Sequence, residues 1–270
     1  MFFPHPRAGR IALVELHGVI GGGVRPTVLE PLLEAVRRAR WLRALVLDIN
    51  SPGGSAGASD LLYRKVKSIA QKKPVVAFIR ETGASGAYYI ACAAHRIVAS
   101  PAAVVGSIGV LSAHPVVEAL LQRWGVQVGI YKGGRLKDMG SPWRQPTDEE
   151  RAKLQGLVDD FYNLFLSVVA EGRKMDLARV QEVATGEPFL AQRGKELGLI
   201  DEVGDQERAL ETAAQMAGIR RRVVTLRPHR PLLARLFRPA GEALVGSVWE
   251  ALEARLWQST LPSFRWLLWP

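Results

Sequence analysis

The chain has 270 residues, of which 36 are Lys or Arg and 26 are Asp or Glu, giving a net charge of +10. Hydrophobic residues make up 48% and charged residues 23%, which excludes an intrinsically disordered chain and is enough for one or two folded domains. The single cysteine, Cys92, excludes an internal disulfide, and we expect it to be a small core residue rather than a nucleophile.

Strand and helix patterns alternate along the first two thirds of the chain. Short apolar runs predict buried strands at 11–16, 44–49, 74–79 and 97–99, with a further strand at 109–111. Apolar residues at helical spacing predict helices at 27–41, 60–71, 85–94, 148–173, 176–184 and 191–197. Repeated strand–helix–strand units of this kind predict an α/β fold with a mostly parallel sheet.

The sequence contains no obvious membrane-spanning segment. No apolar run of signal-peptide length precedes residue 9, and the uncharged stretch 97–117 is broken by two prolines and two glycines. We therefore expect neither a signal peptide nor a transmembrane helix, and a location in the cytoplasm or peripherally on a membrane.

The last fifty residues differ from the rest in composition. Residues 220–270 are rich in Arg, Pro and Trp, which divides the chain into a predicted domain at 1–219 and an extension at 220–270. Within the extension, a predicted amphipathic helix at 242–257 has Trp249 and four aliphatic residues on one face. Such a helix suits a peripheral membrane contact or packing against protein. Nucleic-acid binding is not expected, because no recognised motif accompanies the charge.

Three loops could together build an active site. Asn50-Ser51-Pro52-Gly53-Gly54 follows a predicted strand, and the carboxyl ends of parallel strands are where such proteins bind ligands. Its glycines allow close approach and free backbone N–H groups, although an ordinary tight turn would have the same sequence.

Ser85 lies in the second loop, at a strand-to-helix junction between Ala84 and Gly86. The first N–H groups of a helix lack partners within the helix and could stabilise an oxyanion on a carbonyl that Ser85 attacks. The alternative is a serine that only caps the helix.

The third loop, residues 131–142, contains Lys132 and Lys137. A lysine can act as the base for a serine when its surroundings keep the amine uncharged. The alternative for any one lysine is a solvated surface charge.

These loops, in this order, resemble the S49 peptidase family of the signal peptide peptidase A type. The motifs are N-S-P-G-G at 50–54, A-S-G-A-Y-Y at 84–89, G-S-I-G-V at 106–110, Y-K-x-G-x-x-K-D-x-x-S-P at 131–142 and G-L-I-D-x-x-G at 198–204. The resemblance spans about residues 9 to 215. It implies a ClpP/crotonase-like spiral of ββα units, followed here by the helical extension.

By this resemblance the chain is a serine endopeptidase with a Ser–Lys dyad, in which Ser85 is the nucleophile and Lys137 the general base. The amides of Gly54 and Gly86 would form the oxyanion hole, with Gly53 a less suitable substitute for Gly54. Ser107 would orient the lysine, and Lys132 would be a non-catalytic neighbour. The family's single-length members form ring-like homo-oligomers that complete the dyad between subunits. Hydrophobic peptides, such as cleaved signal peptides, are the implied substrates, with no cofactor or metal.

Other interpretations remain open at this point. A ClpP-like Ser–His peptidase would use His114 as its base. An acyl-CoA enzyme of the crotonase kind would share the fold but would not need Ser85. A non-catalytic membrane-surface binding protein would use the basic, Trp-rich extension.

Overall fold

A computed structural model of the protein describes residues 9–227. The predicted helix at 242–257 lies outside the described residues, and the predicted domain boundary at 219 stays a prediction. Residues 9–227 contain eight strands: β1 (Arg10–His17), β2 (Leu42–Ser51), β3 (Val75–Ala84), β4 (Arg96–Ala99), β5 (Val104–Gly106), β6 (Pro188–Leu190), β7 (Glu202–Val203) and β8 (Val223–Leu226). Eight helices accompany them in this part of the chain: α1 (Pro26–Arg38), α2 (Ala56–Ala70), α3 (Gly86–Ala91), α4 (Glu118–Arg123), α5 (Asp148–Arg173), α6 (Leu177–Val183), α7 (Ala191–Glu196) and α8 (Gln206–Ala217).

The strands form one mostly parallel sheet. Its order is β6-β5-β3-β2-β1-β8, and β4 pairs with both β3 and β7. All pairs are parallel except β5 with β6. The predicted α/β fold with a mostly parallel sheet is therefore confirmed.

Both faces of the sheet are covered, which explains the continuous apolar runs of β1, β2 and β3. On one face, side chains such as Val14, Leu47 and Ala77 belong to the large core that includes residues of α1, α2, α3 and α5. On the other face, a smaller cluster joins Val46 and Phe78 to α8. The two layers hold the carboxyl ends of β2 and β3 side by side.

Most predicted elements are confirmed, and one is wrong. The predicted helix at 148–173 coincides with α5, where Thr147 and Glu150 form the reciprocal capping box. The predicted strand at 109–111 is absent. The strand of this region is β5, which ends where Gly106 and Ser107 adopt positive φ. β5 pairs with the end of β3, so the strand lies earlier in the chain than the apolar pattern indicated.

Residues 111–147, called here the lysine arm, contrast with this core. The only helix in the arm, α4, buries none of its residues. Eight large apolar side chains of the arm are exposed: Leu111, Leu120, Trp124, Val126, Val128, Ile130, Tyr131 and Trp143. None of the helices described here is both long and apolar enough to cross a bilayer.

Candidate active site

Ser85 stands at the sharp junction between β3 and α3. Its backbone has φ 51° and ψ −125°, a conformation that costs energy for a residue with a side chain. The Ser85 N–H donates to the Gly106 carbonyl at 2.8 Å, which ties the junction to the end of β5. Although Ser85 is the N-cap residue of α3, its hydroxyl makes no capping hydrogen bond. The structure therefore does not support a serine that only caps the helix.

The Gly53–Gly54 turn is fixed by bonds on both sides. The Gly53 N–H donates to the buried Ser51 hydroxyl at 3.1 Å, and the Gly53 carbonyl accepts from Ile20 N–H at 2.8 Å. The Ile20 carbonyl in turn accepts from Ser55 N–H. Gly53 and Gly54 both have positive φ, and a side chain at Gly54 would overlap the Ile20 backbone. The turn needs glycine for both reasons.

This turn lies against the Ser85 junction. A methyl group built on Gly53 would lie 2.8 Å from the Gly86 nitrogen and 2.8 Å from the Ser85 Cβ. One built on Gly86 would lie 3.6 Å from the Gly54 nitrogen. Within residues 9–227, the N–H groups of Gly54 and Gly86 donate to no protein acceptor outside α3. The structure thus brings Ser85, Gly54 and Gly86 together.

Tight packing between α2 and α3 holds this junction in place. Gly86 leaves no room for a side chain, because a Cβ there would overlap the buried Ser59 hydroxyl of α2. Tyr89, one helical turn after Ser85, packs edge-on against Tyr63 at 5.0 Å and Phe165 at 5.2 Å between ring centroids. Aromatic packing on three helices therefore supports the position of Ser85.

Lys137 lies on a tight turn of the lysine arm and is exposed. In the described part of the chain its amine makes no hydrogen bond or ion pair, whereas Lys132 is paired with Asp138. The Arg144 guanidinium donates to the second Asp138 oxygen at 2.8 Å. Hydrogen bonds from Arg144 and Lys132 hold the pKa of Asp138 well below its usual range.

The structure of one chain does not join the two halves of the predicted dyad. Within residues 9–227, Ser85 and Lys137 share no hydrogen bond. Ser107, directly after the Gly106 that binds Ser85 N–H, has a strained φ of 49° and donates its own N–H to Glu187. His114 has no carboxylate partner among the described residues, as the third member of a Ser–His–Asp triad would require.

Cys92, by contrast, has the properties of a core residue. It is buried in the main core cluster, and burial raises the pKa of its thiol to about 12. A thiol in this state is unreactive. The expectation that Cys92 is structural is confirmed.

Sequence reasoning missed the groups that hold the site. Neither Ile20, which brackets the glycine turn, nor Ser59, which packs on Gly86, belongs to a motif. Both act through contacts between segments that are distant in sequence. Arg144 and Glu150 form a salt bridge six residues apart, and only the capping box around Glu150 could have been read from sequence.

Comparisons with known proteins identify the family to which the chain is similar. The model of peptidase family S49 matches residues 67–220. A Synechocystis sp. protein named as a protease is 38% identical over 230 residues, covering 84% of this chain and 82% of the relative. The chloroplastic serine protease SPPA of Arabidopsis thaliana is 35% identical over 196 residues, covering 71% of this chain. This chain spans 29% of that relative's length, and 53% of an Enterococcus faecium protein named as a signal peptide peptidase.

Solved structures agree on the fold. A membrane-bound stomatin-specific protease, 1510-N, superposes with a TM-score of 0.52 at 16% identity, covering 82% of this chain and 99% of its own. A ClpP1 variant from Listeria monocytogenes superposes with a TM-score of 0.50 at 16% identity, covering 73% of this chain and 93% of its own. At this identity the likeness establishes a ClpP-like fold and nothing finer. The family match and the relatives together show that the chain belongs to peptidase family S49.

Proposed function

We propose that this chain is a serine endopeptidase in which Ser85 is the nucleophile and Lys137 of a neighbouring subunit is the general base. The observation that carries the proposal is the Ser85 junction. A serine hydroxyl without a capping bond is held on a strained turn beside two glycine amides that have no acceptor among residues 9–227. Nucleophile serines of α/β hydrolytic enzymes are presented on strained strand-to-helix turns of the same kind.

In the proposed reaction, the uncharged Lys137 amine takes the proton of Ser85 as its oxygen bonds to the peptide carbonyl carbon. The carbonyl oxygen becomes an oxyanion that accepts from the N–H groups of Gly54 and Gly86, each worth roughly 3 kcal/mol in comparable sites. The Lys137 ammonium then gives its proton to the leaving amine as the C–N bond breaks. Water, deprotonated by the same amine, then attacks the ester carbonyl, and the ammonium returns its proton to the Ser85 oxygen as the bond to the acyl group breaks. No cofactor is required.

The choice of Lys137 over Lys132 is supported by their ion pairs. The Lys132 amine is already paired with the Asp138 carboxylate. Lys137 makes no ion pair in the described part of the chain. A general base needs a free electron pair, so Lys137 is the better candidate.

The assignment of Lys137 to a neighbouring subunit is supported by the exposed arm. Eight large apolar side chains on one segment are more than the scattered surface residues of a monomer. A second copy of the chain would cover them and bring Lys137 to Ser85 across the contact. We propose a ring-like homo-oligomer on this basis, with Ser107 beside the site to orient the amine.

The proposed substrates are extended hydrophobic peptides, such as cleaved signal peptides. This rests on the family resemblance and on the Enterococcus faecium relative named as a signal peptide peptidase. The solved structure of the 1510-N protease with a substrate peptide is consistent with peptide binding by this fold. A cytoplasmic or peripheral membrane location remains part of this proposal.

The dyad is tested by single substitutions and a hydrophobic peptide library. We expect Ser85→Ala and Lys137→Ala each to lower peptide cleavage by roughly 10²-fold or more, because the first removes the nucleophile and the second removes the general base. His114→Ala is the matched control and should retain activity, and Lys132→Ala should lower activity far less than Lys137→Ala, because Lys132 is not the base. Loss of activity in His114→Ala with a fully active Lys137→Ala would replace the lysine dyad with the ClpP-like alternative.

Completion between subunits is tested with mixed particles. Ser85→Ala and Lys137→Ala chains carrying different affinity tags are co-expressed, and particles containing both are purified. Random mixing in a ring would then pair an intact serine with an intact lysine at about one quarter of the sites. Recovered activity near that fraction supports the shared site. Inactive mixed particles of normal mass would exclude it.

A further inference from the structure

The acidic neighbour of Lys137 is held by two cations. One Asp138 oxygen accepts from the Lys132 amine and the other from Arg144 Nε at 2.8 Å. Arg144 also donates to Glu150 at the start of α5, at 2.8 Å from its Nη1, and the Glu150 side chain is only 2% exposed. Glu150 closes the capping box with Thr147. The turn that carries Lys137 is therefore joined to the first turn of α5 by charged hydrogen bonds.

This arrangement affects Lys137, the residue directly before Asp138. A carboxylate left free beside a lysine amine favours the ammonium form, which cannot accept a proton. Here both oxygens of Asp138 are occupied, and the carboxyl is held ionised by its two partners rather than by Lys137. Lys137 consequently has no acidic partner within residues 9–227.

We propose that Arg144, together with Lys132, is a positioning residue that withholds the Asp138 carboxylate from the Lys137 amine and fixes the turn carrying that amine. The inference rests on the proposed function, because these ion pairs can affect catalysis in this way only if Lys137 is the base. Arg144 touches neither substrate nor nucleophile in this scheme. It acts through Asp138.

The remaining charged groups around the arm are engaged elsewhere or lie on α4. Arg135 pairs with Glu149 on α5, and the Glu118 carboxylate of α4 accepts from the Gln145 N–H. Arg123 ends α4. Across the proposed contact, Glu81 precedes Ser85 by four residues and accepts from the Asn50 amide at 3.0 Å. Asp138 is therefore the carboxylate whose release would most directly affect Lys137.

The experiment measures the pH profile of kcat/KM for peptide cleavage by the assembled full-length protein. In Arg144→Met we expect the acid limb to move to higher pH by about one unit, because a released Asp138 stabilises the ammonium form. Activity at neutral pH should fall by about tenfold for the same reason. The double variant Arg144→Met/Asp138→Asn should return the acid limb to its wild-type position, since no carboxylate remains to pair with Lys137.

Arg135→Met is the matched control. Arg135 joins the same arm to the same helix, but its side chain is 71% exposed, and its pairing with Glu149 does not involve Asp138. We expect its pH profile to be that of the wild type. Native mass spectrometry of each variant confirms that assembly is intact. If Arg144→Met does not assemble, Lys132→Met releases the other Asp138 oxygen and should move the acid limb in the same direction.

Three results would overturn the inference: an unmoved acid limb in the assembled single variant, the same shift in Arg135→Met, or a double variant that keeps the shift. A network with only a structural role would lower activity equally at every pH and would not be rescued by Asp138→Asn. The outcome is separable from the proposed function. An active Lys137→Ala protein contradicts the dyad, whereas an inactive Lys137→Ala with an unmoved limb in Arg144→Met contradicts only the role of Arg144.

Discussion

The Ser85 region and the lysine arm are built in opposite ways. Around Ser85, the glycine turn is closed by Ile20 and by the fully buried Ser51, and Ser59 packs directly on Gly86. In the arm, Tyr131 is 99% exposed and Trp124 is 69% exposed. One region is completed by contacts within the chain, whereas the other leaves many of its largest side chains exposed.

This difference indicates which half of the proposed site a single chain can preorganise. Oxyanion donors contribute most when they are fixed before the reaction, because no reorganisation is then needed as charge develops. The core supplies that rigidity for Gly54 and Gly86. We infer that the arm gains its final position only against another subunit, so the same substitution should have unequal effects in the two regions.

The largest contrast is expected from glycine-to-alanine substitutions. At Gly54, φ is 147° and an added Cβ would lie 2.8 Å from the Ile20 nitrogen and overlap its carbonyl. We expect Gly54→Ala to lower the free energy of unfolding by about 2 kcal/mol or more and to remove peptide cleavage. Gly133→Ala in the arm should change the unfolding free energy by less than about 0.5 kcal/mol, because nothing lies within 4 Å of its added Cβ.

Urea unfolding of both variants provides the measurement. Equal losses of stability at Gly54 and Gly133 would mean that the arm is as tightly packed as the core, and the contrast between the regions would be wrong.

A smaller and opposite effect is expected from polar substitutions in the arm. Trp124→Ser and Tyr131→Ser remove exposed apolar surface, so the unfolding of a single chain should change little. Assembly should weaken, because aromatic side chains dominate the energetics of protein contacts. Native mass spectrometry at several concentrations should detect smaller species than in the wild type. Particles of unchanged mass and concentration dependence would remove the arm from the subunit contact.

The sequence predicted the Ser85 region well because its determinants are local. Apolar runs specified β2 and β3, and the small residues after each strand specified turns at the same edge of the sheet. That Gly54 and Gly86 lie together follows from the parallel pairing of neighbouring strands. The strained φ of Ser85 and the packing of Ser59 on the adjacent Gly86 are not contained in a linear pattern.

The arm was harder to predict because its order depends on pairs between charged side chains. Patterns gave Lys137 as a candidate but could not show that Asp138 binds Lys132 and Arg144 rather than Lys137. A different limit explains the wrong strand at 109–111. The apolar residues at 109–111 lead into the arm, where large apolar side chains are exposed. Hydrophobicity in this part of the sequence therefore did not indicate burial.

The smallest expected effect concerns Glu150, where the arm meets the core. Hydrogen bonds from Arg144 and from the Thr147 backbone lower the pKa of Glu150 to about 2. A carboxyl with a depressed pKa contributes stability that is present above its unfolded pKa of about 4.3 and is lost as pH falls toward the folded value. We expect the wild-type unfolding free energy to fall between about pH 4.5 and pH 2, and Glu150→Gln, which cannot titrate, to show a shallower fall.

Urea unfolding at a series of pH values measures this slope. Glu196→Gln is the control, because Glu196 forms an exposed i,i+3 pair with Arg193 and should leave the slope nearly as in the wild type. A Glu150→Gln slope equal to that of the control would mean that the ionised Glu150 does not stabilise the fold. The arm would then be held to α5 by nothing stronger than surface pairs. In that case the first turn of α5 would belong with the loosely held arm. A shallower slope in Glu150→Gln would mean instead that the rigid region extends as far as Arg144.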